Sequence, residues 1–191
     1  MSADSTSQSR IASIQRDTAE TKISLKLNLD GTGQSEIETG VPFFDHMLTL
    51  LSKHSRIDLE VKTDGDIEVD FHHTVEDTGI VLGQAVKEAL GEKRGIFRYG
   101  SVYLPMDETL ARVVVDCGGR PFLDFRAPEG IENIGGNFPF SLVEEFMRAF
   151  AFNSMINLHI EILYGRDGHH MAEAAFKGLA RSVDTAIQID S

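Results

Sequence analysis

An internal repeat constrains the fold of this chain more than any other feature of its sequence. Asp70–Glu76 and Asp167–Glu173 both contain the pattern His-His-x-x-Glu, and the two copies lie 97 residues apart. Each copy is followed by apolar residues at helical spacing, over Thr78–Leu90 and Ala174–Ile187. Tandem duplication is the simplest explanation, because further segments upstream of the two copies match each other in the same order.

The upstream matches indicate which secondary structure each half contains. Phe43–Leu48 and Leu142–Met147 each begin an amphipathic helix that runs into a strand of alternating apolar and polar residues. Ala19–Thr21 and Asp107–Thr109 each lead into another such strand. Each half is therefore predicted to contain two strands, a helix, a strand, at most one short further strand, and a last helix. Two such halves predict an α+β fold of mixed sheets with helices packed on one face.

The repeat also divides the chain into segments. The first α+β repeat is predicted to span residues 16–93 and the second residues 94–191, with the boundary near Gly91–Gly95. A chain of 191 residues is long enough for the two repeats to share one substantial core, so we expect a single compact unit. Residues 1–15 are polar and rich in serine at their start, and we expect them to form a flexible tail.

Charge and composition narrow the classes of function. A formal net charge of −12 argues against a nucleic-acid partner, whose phosphates bind lysine and arginine. No apolar run approaches the roughly 20 residues that span a bilayer, so no membrane partner is expected. Cys117 is the single cysteine, which fits a reducing compartment, and the cytoplasm is the expected location.

Each repeat carries a histidine pair and a glutamate in an arrangement typical of metal sites. Neutral imidazole is a frequent ligand of transition metals, and a carboxylate three or four residues further along a helix lies on the same face. Adjacent histidines on a helix point about 100° apart, so both can hardly reach one ion. Two pairs in a duplicated chain therefore predict two ions, with each pair divided between them.

The pseudo-twofold symmetry of the repeat assigns candidate ligands to the two ions. The first site is predicted to use His46, His73, Glu76 and, from the other repeat, His169. The second is predicted to use Glu145, His170, Glu173 and His72. These ligands offer nitrogen and oxygen but no thiolate, which favours Mn²⁺, with Zn²⁺, Fe²⁺ or Co²⁺ able to compete.

Several longer motifs resemble those of the imidazoleglycerol-phosphate dehydratase family. The motifs are Thr18–Thr21, Phe44–Leu48, Asp70–Gly79, Arg98–Ser101, Pro105–Ala111, Gly119–Pro121 and His169–Lys177. The resemblance implies two halves like the second domain of ribosomal protein S5, and two Mn²⁺ ions per chain on the eight residues above. It implies no organic cofactor, and it implies a homo-oligomeric cage of 24 subunits that share active sites.

The resemblance also implies a reaction. The substrate would be imidazole glycerol phosphate, a small phosphate ester that loses water to give imidazole acetol phosphate during histidine biosynthesis. The family pattern places Glu20, Arg98, Arg120 and Lys177 at the substrate, and the three cations suit a phosphate. Glu20 at the substrate and Glu173 at the metal are the candidates for the catalytic acid–base steps.

The chain departs from the family at two points. Glu145 stands where some members have histidine, which changes the donor atom to oxygen. Family members usually continue to a tail with serine and lysine that helps to hold the phosphate, whereas this sequence ends at Ser191, so we expect weaker turnover. Two alternative functions remain open from the sequence: a two-metal hydrolase of a phosphorylated small molecule, and an inactive cage protein held together by metal.

Overall fold

The structure is a computed structural model that describes residues 10–134 and 137–190. Alternating apolar residues build two four-stranded sheets in it. The first half contains β1 (Ile11–Asp17), β2 (Thr21–Asn28), β3 (Ser35–Glu38), α1 (Pro42–Ser55), β4 (Asp58–Gly65) and α2 (His72–Leu90). The second half contains β5 (Tyr99–Met106), β6 (Thr109–Asp116), β7 (Phe122–Arg126), β8 (Asn133–Ile134), β9 (Phe138–Pro139), α3 (Ser141–Ser154), β10 (Asn157–Tyr164) and α4 (Gly168–Ile187).

The two sheets have the same topology. Their strand orders are β1-β2-β4-β3 and β5-β6-β10-β7, so the elements of one half map one by one onto those of the other. Within each sheet, three strands pair antiparallel, and the short strand, β3 or β7, pairs parallel to its neighbour. The predicted α+β fold of two similar halves with mixed sheets is therefore confirmed. The small hairpin β8–β9 is an addition of the second half.

The four helices pack on the inner faces of the two sheets. Along β2 the apolar Ile23, Leu25 and Leu27 are buried, while Ser24 and Lys26 between them are exposed. Burial of one such side chain contributes about 1.5–3 kcal/mol, so this alternation fixes which face of the strand meets the helices. No helix in the described ranges is both long and apolar enough to cross a membrane.

The helices pair across the two halves. α1 of the first half packs against α4 of the second, and α3 of the second packs against α2 of the first. Aromatic rings join these helices in the core: the centroids of Phe44 and Phe146 are 5.5 Å apart, and those of Phe146 and Phe176 are 4.9 Å apart. Residues of one repeat are thereby brought beside residues of the other.

The structure corrects two strand predictions. Residues 11–15, expected to lie in the flexible tail, belong to β1, because Ala12 and Ile14 turn inward and the strand pairs with β2 over its whole length. Residues 1–9 lie outside the described residues. The additional short strand of each half precedes the first helix, as β3 and β7, rather than the last one.

Both helices that carry the histidine pairs begin earlier than the apolar periodicity predicts. α2 begins at His72 instead of Thr78, and α4 begins at Gly168 instead of Ala174. In each case an aspartate side chain just before the histidines accepts the backbone N–H of the first histidine, at 2.7 Å in α2 and 2.8 Å in α4. Such capping stabilises a helix start whose residues are polar. The histidine pairs therefore lie in the first helical turns.

Candidate functional site

The two rings of each histidine pair face different directions, as expected from helix geometry. His72 and His73 have ring planes inclined at 85°, and His169 and His170 at 86°, with centroids 6.2 and 6.1 Å apart. The two histidines of each pair can therefore contact different groups of residues.

The first histidine of the second pair joins a compact cluster with a residue of the first repeat. The Nε2 atoms of His46 on α1 and His169 on α4 lie 3.0 and 3.1 Å from the same oxygen, Oε1 of Glu173. In the described part of the chain this is the one group of three or more candidate ligands whose donor atoms all lie within 4.8 Å of one another. Two imidazoles and one carboxylate at this spacing fit a divalent transition-metal ion.

The electrostatics of the cluster keep its carboxylate ionised. The other oxygen of Glu173, Oε2, lies 2.5 Å from the ammonium of Lys177. Burial alone raises the pKa of Glu173, but the hydrogen bonds from Lys177, His46 and His169 outweigh it and lower the pKa to about 2. Glu173 therefore presents one oxygen to the two imidazoles and one to a cation, and it remains a carboxylate near neutral pH.

Within one chain, this cluster differs from the predicted division of ligands in one respect. His46 and His169 meet across the two repeats as predicted, but Glu173 joins them, although it was assigned to the site of His170. Residues four apart on a helix lie about 40° apart around its axis, and residues three apart about 60° apart on the other side. Glu173 therefore shares a face most closely with His169, four residues earlier.

The equivalent residues of the other helix pair are more loosely arranged. His72 Nε2 lies 3.5 Å from Glu76 Oε2 on α2, and Glu145 lies on α3, which packs against α2. These positions correspond to those of the compact cluster through the repeat. The structure does not bring the three within the spacing of that cluster.

The second histidine of each pair is held by a carboxylate that sequence reasoning did not single out. His73 Nδ1 lies 3.0 Å from Asp66, and His170 Nδ1 lies 2.8 Å from Glu108. These hydrogen bonds raise the pKa of His73 and of His170. Glu108 belongs to the Asp107–Thr109 segment that matched Ala19–Thr21, so the repeat itself could have indicated it. No matching segment of the repeat indicates Asp66.

The predicted phosphate-binding cations lie in different parts of the chain. Lys177 lies at the cluster, whereas the backbone N–H of Arg98 donates to the carbonyl of Ala186, at the far end of the helix. Because a helix rises 1.5 Å per residue, Glu173 and Ala186 are about 20 Å apart. Arg98 binds Asp116 through Nε at 2.7 Å, and Arg120 is close enough to contribute to lowering the pKa of Asp116. Within one chain, Arg98 therefore lies far from the cluster.

Glu20 lies in the turn between β1 and β2, on the side of His73. Its carbonyl accepts the backbone N–H of Asp66 at 3.1 Å, and its own N–H donates to the hydroxyl of Thr18 at 3.2 Å. The side chain is exposed. The structure thus places Glu20 beside the first histidine pair, and nothing in the described contacts joins it to the Glu173 cluster.

Two α+β repeats that pair their helices crosswise and present histidines and carboxylates at the helix starts define a class of protein. It is a duplicated protein with a site suited to a divalent cation, and comparison with known proteins identifies its family. A family model described as imidazoleglycerol-phosphate dehydratase matches residues 39–183. The chain therefore belongs to the imidazoleglycerol-phosphate dehydratase family.

Individual relatives agree with this family. The imidazoleglycerol-phosphate dehydratase of Akkermansia muciniphila is 59% identical over 181 residues, covering 95% of this chain and 92% of that protein. The one from Azorhizobium caulinodans is 58% identical, covering 95% and 91%. The crystal structure of the Staphylococcus aureus imidazoleglycerol-phosphate dehydratase has a TM-score of 0.85 at 42% identity, covering 94% of this chain and 99% of that one.

The predicted activity is thereby confirmed. The protein is a hydro-lyase of histidine biosynthesis that removes water from imidazole glycerol phosphate. The alternative of a phosphate-ester hydrolase is not supported by these relatives.

Proposed function

We propose that the chain performs this dehydration with two divalent ions, Mn²⁺ by preference, bound by histidines and carboxylates at the starts of α2 and α4. The observation that supports this most directly is the convergence of His46 and His169 on one oxygen of Glu173. These two imidazoles and the carboxylate would hold one ion. His72, Glu76 and Glu145, which are their counterparts through the repeat, would contribute to the other.

Bound ions would supply Lewis acidity that favours electron flow from the imidazole ring of the substrate and departure of its hydroxyl group. Protein residues would hold the ions and transfer the protons. The low pKa of Glu173, about 2, favours a ligand role over a proton-transfer role at neutral pH. Glu20, exposed on its turn, is then the stronger candidate to take the substrate proton.

His73 and His170 would complete the ion sites of neighbouring copies. Within one chain they contact Asp66 and Glu108 instead of the Glu173 cluster. Arg98 likewise lies near the opposite end of α4 from Glu173. A site that needs all of these groups requires residues from more than one chain, which supports the proposed 24-subunit cage with shared active sites.

The three cations would bind the substrate phosphate. Lys177, whose ammonium contacts Glu173 Oε2, would supply a cation beside the residues that hold the ion. Arg98 and Arg120 would approach from an adjoining copy, and guanidinium groups suit the oxygens of a phosphate ester. We also propose a cytoplasmic location, because the only cysteine is buried in a chain with no disulfide partner.

The test combines metal content, product and particle size. Protein purified with Mn²⁺ should contain about two ions per chain and form imidazole acetol phosphate without releasing inorganic phosphate. Chelation should break the particle into small oligomers, and Mn²⁺ should restore it. Release of inorganic phosphate would indicate a hydrolase, and absence of turnover in fully metallated protein would indicate an inactive cage. An unchanged particle size after chelation would refute metal-linked assembly.

A matched pair of histidine variants tests the ligand assignment. His46 and His54 lie on the same helix, but only His46 belongs to the cluster. His46→Ala should lower Mn²⁺ content and activity together, whereas His54→Ala should leave Mn²⁺ content unchanged. Equal metal content in both variants would reject His46 as a ligand.

A further inference from the structure

In each repeat, a glycine at the end of the strand before the last helix lies near a threonine: Gly65 is the last residue of β4, and Gly165 directly follows β10. A Cβ at Gly65 would contact Thr21, and a Cβ at Gly165 would contact Thr109. The distances are 3.5 Å to Thr21 Cγ2 and 2.5 Å to Thr109 Oγ1, so the glycine and the threonine are neighbours in both halves and the residues next to them occupy equivalent places. The glutamates that precede the two threonines, Glu20 and Glu108, are therefore counterparts, and so are Asp66 and Arg166, which follow the two glycines.

The two glutamates have opposite environments. Glu108 accepts the backbone N–H groups of Arg166 and Asp167, at 3.2 and 3.0 Å, and its other oxygen lies 2.8 Å from His170 Nδ1. Glu20 has no side-chain hydrogen bond or ion pair with any residue in 10–134 or 137–190. One glutamate is thus fully engaged in holding a histidine, while its counterpart presents its carboxylate to the surroundings.

A different residue holds the histidine next to Glu20. Asp66 places its carboxylate 3.0 Å from His73 Nδ1, and its backbone N–H donates to the Glu20 carbonyl. In the second repeat the counterpart of Asp66 is Arg166, a cation that cannot accept this hydrogen bond. In the first repeat, the carboxylate that contacts the histidine therefore comes from the loop before the last helix. In the second repeat, it comes from the turn between the first two strands.

The turn that carries Glu20 is itself rigidly held. The Thr21 hydroxyl donates to buried Asp77 at 2.5 Å, and the Thr18 hydroxyl accepts the N–H groups of both Glu20 and Thr21. The backbone of Glu20 is thus fixed on both sides. A carboxylate on a fixed turn is preorganised for a ligand outside the chain.

From these contacts we infer that Asp66 and Glu108 are positioning residues for metal binding, and that Asp66, by holding His73, leaves Glu20 available to the substrate. Each carboxylate accepts the proton on Nδ1, which leaves the Nε2 of that histidine unprotonated as the metal-binding atom. The duplicated fold thereby keeps two oriented histidines and gains one unengaged carboxylate. This inference depends on the proposed metal sites.

The test compares three isosteric variants, Asp66→Asn, Glu108→Gln and Glu20→Gln, in the full chain. Mn²⁺ alone is titrated by calorimetry into chelator-treated protein, and kcat and KM are measured separately. Asp66→Asn and Glu108→Gln should each weaken one class of Mn²⁺ sites by about 10–100-fold. Glu20→Gln, the matched change at the position equivalent to Glu108, should leave Mn²⁺ affinity unchanged and lower kcat.

Two results would overturn the inference. Wild-type Mn²⁺ affinity in Asp66→Asn would remove its positioning role, and loss of Mn²⁺ affinity in Glu20→Gln would show that the two glutamates act alike. Glu108→Gln also changes contacts to two backbone N–H groups, so thermal unfolding of the metal-free variants is compared. Asp66→Asn provides the decisive measurement if Glu108→Gln proves unstable. Because Mn²⁺ titration needs no turnover, a failure of the dehydration itself would be recognised independently.

Discussion

Arg10 in the first repeat and Arg98 in the second stand one residue before equivalent edge strands, and each pairs with an aspartate. The side chain of Arg10 is 15% exposed and also donates to the carbonyl of Ile187 at 2.5 Å. The side chain of Arg98 is 44% exposed and lies over the ring of Tyr99, 4.9 Å from its centroid. The first arginine ties the two halves together, whereas the second remains accessible to a ligand.

The glutamates of the two His-His-x-x-Glu copies also differ in exposure. The side chain of Glu173 is 8% exposed and contacts two histidines and a lysine, while that of Glu76 is 43% exposed and has His72 at 3.5 Å. Duplication supplied two copies of one scaffold. Differences in a few side chains leave equivalent positions buried in one copy and accessible in the other.

The largest effect is expected from removing these two carboxylates. If both copies hold an ion needed for the reaction, Glu173→Gln and Glu76→Gln should each lower kcat/KM by more than about a hundredfold, beyond the effect of residues that only orient a ligand. Steady-state kinetics at saturating Mn²⁺ and metal analysis measure this. Near-normal kcat/KM in Glu76→Gln would mean that the looser site is dispensable and that the two copies differ in function.

A core substitution measures how strongly the first sheet depends on its inward face. Leu25 is 1% exposed, and Leu25→Ala should lower the free energy of unfolding by about 2–5 kcal/mol through lost burial and a cavity. Lys26, its neighbour on the outer face, is the control, and Lys26→Ala should change it by no more than about 0.5 kcal/mol. Denaturant unfolding of the metal-free chain gives both values. Similar losses in the two variants would contradict the assignment of the inner face.

The arginine comparison predicts a smaller and selective effect. Arg98→Lys should raise KM about tenfold, because a lysine replaces the forked guanidinium at a phosphate and loses a charge-assisted hydrogen bond. Arg10→Lys, the equivalent change in the first repeat, should leave KM unchanged and lower thermal stability instead. An equal rise of KM in both variants would refute the different roles assigned to the two arginines.

The smallest effect concerns pH. The hydrogen bond from Arg98 lowers the pKa of Asp116, so the pair stabilises the fold above the unfolded carboxyl pKa of about 3.9 and loses this contribution as pH falls towards the folded value. Asp116→Asn removes it and copies Asn28, the counterpart in the first repeat. The difference in unfolding free energy between the two proteins should be below about 1 kcal/mol at pH 7 and should shrink below pH 4. If the difference in unfolding free energy grew on acidification, the predicted direction of the pH dependence would be wrong.

The repeat and its periodicities determined much of this protein from sequence alone. Alternation of apolar residues predicted β2 and β4, and helical spacing predicted the bodies of α1 to α4, because both patterns depend on which face of an element is buried. Pseudo-symmetry also predicted that His46 and His169 of different repeats would meet. Local helix geometry predicted that adjacent histidines would face apart.

Only the tertiary structure decided which carboxylate each histidine meets. The loop before α2 spans residues 66–71, whereas the loop before α4 spans residues 165–167, and this difference lets Asp66 reach His73 while Glu108 reaches His170. The contact of His46 with Glu173 likewise depends on how α1 and α4 pack, and the distance from Glu173 to Arg98 depends on where the start of β5 meets α4. Periodicity records burial, which is a property of one element, but hydrogen bonds depend on the reach of individual side chains across elements, which spacing along the chain does not encode.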